Sequence, residues 1–147
     1  MPRARKTLEG SNVDSRQRLV ETASKLMRVQ GYHATGLNQI VEQSQAPKGS
    51  LYHYFPEGKE QLAAEALRHA GMQMGQQLRG LANLTPEQAM DQLVEASIRD
   101  LEESDYRDCC PCAGVALETH TSCPKLTQLC GQIFDGALSI VEELLAR

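Results

Sequence analysis

The sequence predicts an all-α fold, and three observations carry that prediction. Apolar residues recur at i, i+3 and i+4 through every long segment, which is the spacing of one helical face. No alternating apolar and polar run is bounded by hairpin turns, so no strand is indicated. Helix-ending and helix-starting residues punctuate the periodic segments: Gly31, Pro47, the run Phe55-Pro56-Glu57-Gly58, Pro86 and Pro124.

Taken in order, residues 1–13 are polar and basic, with Arg3, Arg5 and Lys6. They have no apolar period and are expected to be a flexible tail, either solubilising or following phosphates as an arm. Helix 1 is predicted from about Asp14 or Ser15 to Gln30, with Leu19, Val20, Ala23, Leu26 and Met27 on one face and Gly31 as its stop. Thr35 is placed as the N-cap of helix 2, which covers about Gly36 to Ser44. Pro47 is placed in the first turn of helix 3, where its missing N–H removes no bond, and helix 3 runs to Phe55. Two helices this close have helix-turn-helix spacing.

Lys59 opens helix 4, whose apolar stripe runs from Leu62 to about Leu84. Gly71, Gly75 and Gly80 each weaken it by roughly 1 kcal/mol relative to Ala, so a bend that transmits a signal is expected there. Thr85-Pro86-Glu87-Gln88 is a strong helix start, with a capping Thr, a first-position Pro and a Gln that completes a capping box. A last helix from about Pro124 is strongly apolar through Leu145.

Charge is divided unevenly. Residues 1–60 hold nine Lys/Arg and six Asp/Glu, whereas residues 61–147 hold six and thirteen. A basic first part suits a polyanion, and an acidic second part does not. No apolar run approaches the roughly 18 residues of a membrane span, and no apolar signal core opens the chain, so the protein is expected in the cytoplasm. Three of the six Phe and Tyr residues, Tyr52, Tyr54 and Phe55, stand in the segment Thr35–Lys59 beside Lys48, Ser50 and His53. A helix serving only a core would not carry so many hydrogen-bonding groups; one that enters a DNA groove would.

The string PKGSLYHYFPEGKEQLAAEAL, from Pro47 to Leu67, resembles the DNA-binding head of the tetracycline-repressor (TetR) family. Helix 1 and Gly31-Tyr32-His33-Ala34-Thr35 fit as well, so the resemblance covers about residues 14–70. CPCAGVALE, Cys110 to Glu118, is similar to the LmrA/YxaF-like branch of that family. The resemblance implies a three-helix head over 14–58, a long helix 4, and a helical effector-binding and dimerisation region over 59–147 that is shortened relative to the family pattern. It implies phosphate contacts from Thr35 and Gly36. It places Lys48, Gly49 and Ser50 nearest the groove, Tyr52 and His53 at phosphates or base edges, and Lys59 as a phosphate clamp. Leu51 and Phe55 fall to packing. The family commonly has a Gly in the turn between helices 2 and 3, and Gln45 stands about there.

Five cysteines lie between Cys109 and Cys130. They admit three readings: small buried hydrophobes with a Cys-Pro turn, a thiol redox sensor using Cys109, Cys110, Cys112 and Cys123, or a soft-metal site that also draws on His120. The spacing lacks paired CxxC units, so no metal site is assigned, and no cofactor is implied. A thiol enzyme using His120 or His69 as base lacks an evident third orienting group. The leading expectation is a repressor that binds a palindromic double-stranded DNA operator as a homodimer and is released by a small-molecule effector. The effector is expected among helices 4 to 7, with Met72, Met74, Met90, Leu93, Ile98 and Phe134 as candidate lining. A shortened, ligand-blind DNA-binding or interaction module and a thiol-based redox sensor are the alternatives.

Overall fold

The structure is a computed structural model that describes residues 8–146, with side chains described from Ser15 onward. Among the described residues there are seven helices and no strand: α1 (Leu8–Ala34), α2 (Leu37–Ser44), α3 (Ser50–Tyr54), α4 (Lys59–Gly80), α5 (Pro86–Glu103), α6 (Pro111–Thr119) and α7 (Pro124–Leu145). Arg3, Arg5 and Lys6 of the expected tail lie outside these residues. Helix 1 starts at Leu8, ahead of the expected Asp14. Gly31 breaks it at φ 80°, so the final turn, Tyr32 to Ala34, leaves in a new direction.

The apolar faces close on one continuous core. Leu19, Val20, Ala23 and Met27 of α1 meet Ile40 of α2, Leu51 of α3 and Phe55, and then Leu62, Ala63, Ala66 and Leu67 of α4. The same cluster runs on into Cys112 and Val115 of α6 and Leu126 and Cys130 of α7. The expected boundary near residue 58 is therefore crossed by shared packing, with α4 belonging to both sides. An Arg16–Glu65 ion pair at 2.8 Å and the stacking of Arg16 over Phe55 also fasten α1 to α4.

Three elements differ from expectation. Helix 3 is shorter: Pro47 lies ahead of it in a turn closed by Ser50 N–H donating to Pro47 O at 2.8 Å, and Gly49 is its N-cap. The N-cap of α2 is Gly36, one residue past Thr35. Two of the three α4 glycines, Gly71 and Gly75, serve close approach, Gly80 faces open space, and α4 is one helix. A Cβ on Gly71 would stand 2.8 Å from Ile133 Cγ2 of α7, and buried Gly75 faces Ile140. The ordered helix also stops at Gly80, and single-turn bonds such as Ala82 N–H to Arg79 O lead to Thr85.

The Thr85 capping box forms as predicted. Gln88 N–H donates to Thr85 Oγ1 and Thr85 N–H to Gln88 Oε1. Yet α5 buries only Ala89 among its side chains, and Met90, Val94, Ile98 and Leu101 face outward. After α5 the chain reverses through Asp105 and Tyr106, both left-handed at φ 54° and 58°. Such a conformation costs a non-glycine residue about 1–2 kcal/mol, and here it delivers Asp108 to Arg28.

Candidate nucleic-acid interface and control site

The turn from α2 to α3 is set by a left-handed Gln45 at φ 54°, the position where a glycine was expected from the resemblance. Its carbonyl accepts from Arg18 Nη1 at 3.4 Å, and Ser44 Oγ accepts from Ala46 N–H, with Ala46 in the core. These contacts hold the angle between the helices. Leu51 and Phe55 are 1% and 0% exposed, which fixes the rotation of α3. Because they point inward, Lys48, Gly49, Tyr52 and His53 point outward, with Tyr52 65% exposed and Ser50 half-buried. Tyr52 and Lys48 border one cleft with Asn38 and Gln45. Asn38 was missed in the sequence: it carries no motif, and only the packed angle brings it beside Lys48.

Glycine at positions 36 and 49 answers no internal need. Both have negative φ, and a Cβ at either would meet nothing within 4 Å. These are open positions on the outer face, where another surface can come near the backbone.

Thr35 is placed otherwise than expected. It is 1% exposed, and its hydroxyl donates to Gly31 O at 2.6 Å. It closes the broken end of α1 and has no hydroxyl to offer an outside phosphate. Lys59 is half-buried, with its ammonium 4.6 Å from the Tyr32 ring centre and one donor on His33 O at 3.2 Å. Burial holds its pKa below the usual lysine value, opposed by the nearby Glu118 carboxylate. Burial likewise raises the Tyr32 phenol, with Cys123 and Glu60 adding to the effect.

A second site lies behind the head. A cavity of about 320 Å³ opens between α4, α5 and the start of α6, lined by Arg28, Met74, Asp100, Leu101, Cys110 and Cys112 among others. Of the six residues expected to line an effector site, Met74 does; Leu93 is half-buried outside this lining. Met90 and Ile98 are exposed, Met72 borders a separate groove against α7, and Phe134 packs against the core. The cysteines also regroup. Cys109 and Cys110 are exposed and free, Cys112, Cys123 and Cys130 are buried and free, and no metal-holding cluster occurs among the described residues. Cys123 belongs to the N-cap of α7, away from the cavity lining, whereas Cys130 approaches Cys112.

α6 is fastened at both ends to the last turns of α1. At its start, Arg28 Nε donates to Asp108 Oδ1 at 2.7 Å, and the Cys109 amide donates to Arg28 O at 3.2 Å. At its end, Glu118 Oε2 accepts from His33 N–H at 2.8 Å, and Glu118 O lies 3.2 Å from His33 Nε2. The Glu118 carboxylate fills the space that a Cβ on Gly31 would take. Gly31 is thus required twice, by its φ and by this approach.

A helix-turn-helix head that presents an aromatic α3 outward, with Lys48 in the turn just ahead of it, and that shares its core with a helical body defines the class of helix-turn-helix regulators. The profile described as "Bacterial regulatory proteins, tetR family" matches residues 19–66, and "Transcriptional regulator LmrA/YxaF-like, C-terminal domain" matches residues 86–147. The HTH-type transcriptional regulator YxaF of Bacillus subtilis is 38% identical over 126 residues, covering 84% of this chain and 66% of that protein. LmrA of the same organism is 35% identical over 136 residues, covering 90% and 71%. The chain belongs to the TetR family of DNA-binding bacterial regulators, in its LmrA/YxaF-like branch. It spans about two thirds of the length of YxaF. The crystal structure of a regulatory protein TetR from Rhodobacter sphaeroides shares the fold, at a TM-score of 0.82 and 16% identity, over 90% of this chain and 71% of that one. No helix among the described residues is long and apolar enough to cross a membrane.

Proposed function

We propose that this protein is a repressor that binds a palindromic operator through α3 and is released from it by a small molecule. The observation that carries the reading is the orientation of α3: Leu51 and Phe55 are buried, and Lys48, Tyr52 and His53 are presented on the opposite side. Lys48 and the backbone at Gly49 lead into the groove, and Tyr52 and His53 meet phosphate or base edges. Gly36, at the N-terminal end of α2, lets a phosphate approach the free amides there. Lys59, held on His33 O and over the Tyr32 ring, has two further donors that would serve a phosphate at the start of α4. Thr35 acts by fixing the end of α1.

The control site of this reading is the cavity between α4, α5 and α6. Its volume, about 320 Å³, is at the small end of ligand pockets. α6 borders it at one end and is fastened to the head through Arg28, Asp108 and Glu118, so a ligand that shifts α6 displaces the mount of α2 and α3. Release requires the ligand to bind the non-DNA state more tightly.

The test is DNA selection from random sequence followed by titration of the selected duplex at several salt concentrations. Wild type is expected to select an inverted repeat and to lose affinity steeply as salt rises. Lys48→Ala should lower the slope of log affinity against log salt by up to about 0.9, because one cation at the mouth of the groove, between the phosphate strands, is lost. Tyr52→Ala should weaken binding about tenfold with the slope unchanged, since tyrosine carries no charge. Wild-type affinity and slope in both variants would remove α3 as the DNA-reading element.

A further inference from the structure

We propose that Cys110 is a covalent acceptor site for neutral soft electrophiles of the α,β-unsaturated carbonyl class, held in the cavity between α4, α5 and the start of α6. The proposal stands first on placement. Cys110 is exposed, lines the cavity, and is the N-cap of α6, a nine-residue helix whose positive end favours a thiolate. Cys109 and buried Cys112 line the cavity with it, and buried Cys130 stands behind Cys112 outside the lining, so two of the three lining thiols, Cys109 and Cys110, are exposed.

The chemistry of these thiols is divided. The Cys112 thiol beside Cys110 favours its thiolate most, burial opposes it, and the amides of the first turn and Arg28 add support; the result is a pKa lowered to about 6. Cys112 keeps its proton, and its own pKa is pushed well above the usual thiol value. It has one S–H to share, so it supports Cys110 or Cys130 at a given moment, and Cys130 is out of reach of solvent. Cys109, next in sequence and also exposed, is pushed the other way by burial and then by Asp108, and its S–H is directed at Arg28 O at 3.1 Å. Two adjacent exposed thiols are thus shifted in opposite directions, and the one free of the Arg28 carbonyl is Cys110.

The walls select the ligand. Ala70, Met74 and Leu101 give the cavity an apolar lining suited to a small organic skeleton, and the Gln73 and Gln77 amides can donate to a carbonyl oxygen. The Asp100 carboxylate and the Arg28–Asp108 ion pair line it too; with Asp108 paired, the charge left to oppose an anion is that of Asp100. In the reaction the Cys110 sulfur lone pair forms a C–S bond to the β-carbon and the C=C π pair moves to the carbonyl as an enolate. The α-carbon then takes one proton from water, replacing the one the thiol had released. The product is a thioether, and no oxidant or reductant enters. The expected consequence, loss of operator binding, rests on the function proposed above.

The test treats the full chain at pH 7 with substoichiometric methyl vinyl ketone and follows the intact mass and the modified peptide. Wild type and Cys109→Ser should label at the same rate, and Cys110→Ser about five- to tenfold more slowly, because the gain in thiolate fraction exceeds the loss of intrinsic nucleophilicity. Thermal melting of Cys110→Ser establishes that it is folded. Equal labelling of Cys109 and Cys110, or oxidation of Cys110 by peroxide without labelling by the ketone, overturns the proposal. A parallel titration with the selected operator separates it from the DNA reading. If unlabelled protein fails to bind DNA, the repressor reading fails while the labelling result still decides the site. If labelled protein binds as tightly as unlabelled protein, the site stands and its regulatory role is overturned.

Discussion

At Thr35 the hydroxyl faces inward, and one residue of displacement separates a phosphate ligand from a structural clasp. A capping threonine and a threonine one place before the cap are indistinguishable in sequence, because helix starts are defined only to within a residue or two by pattern. Gln45 was legible through the resemblance, which commonly has a Gly in that turn, and the left-handed conformation falls on it. The resemblance also gave Leu51 and Phe55 to packing, and their burial fixes where Tyr52 and His53 point. The Thr35 assignment has its own test. Thr35→Val keeps the shape and removes the bond to Gly31 O, leaving a half-buried carbonyl short of a partner; stability should fall by about 1–2 kcal/mol in a denaturant titration. Operator affinity, measured where both proteins are folded, should stay at the wild-type value, in contrast to Tyr52→Ala. A loss of affinity of about tenfold in folded Thr35→Val would restore Thr35 to the phosphate contacts.

At the scale of the element, α6 shows where sequence reading stops. The sequence reading placed only a Cys-Pro turn at Cys110-Pro111, where Pro111 is the first residue of a nine-residue helix, a position that proline suits. Its attachment to α1 was not visible, because Arg28–Asp108 and His33–Glu118 join residues eighty or more positions apart. Arg28 looked like one of several charges off the apolar face of helix 1. The glycines of α4 were legible as exceptional and misread in mechanism: without α7 in place, a weak helix and a closely packed one have the same sequence. The α6 attachment predicts a local effect of Glu118→Ala. The His33 amide loses a charged acceptor that is partly exposed, so its hydrogen exchange should quicken by about tenfold, near the low end for a bond to a charged group. Amides in the middle of α4 should be unaffected. Glu118→Gln keeps an oxygen acceptor and should retain most of the protection. Unchanged exchange at His33 in Glu118→Ala would mean that α6 is not what holds the end of α1.

For the whole molecule, the balance of buried and exposed apolar surface decides how the chain lives in solution. The core runs without interruption from α1 to α7, yet Val94 and Ile98 on α5 and Leu138 and Leu145 on α7 are each at least half exposed. Under the proposed function, these exposed side chains on two helices are those that a second copy of the chain would cover. A palindromic operator asks for a two-fold partner, and linking two heads raises affinity well beyond that of one. The acidic charge of residues 61–147 keeps that body away from DNA and leaves its faces for protein contact. Light scattering across a dilution series should therefore show a dimer that dissociates on dilution. Ile98→Glu and Leu138→Glu, tested one at a time, identify which helix carries the contact. The variant that breaks it should be monomeric, should keep its folding stability to within about 0.5 kcal/mol because the site is exposed, and should lose about 100-fold in operator affinity as the second head is lost. A wild-type chain that stays monomeric throughout, or a monomeric variant that binds the operator as tightly as wild type, would show that a single head is enough.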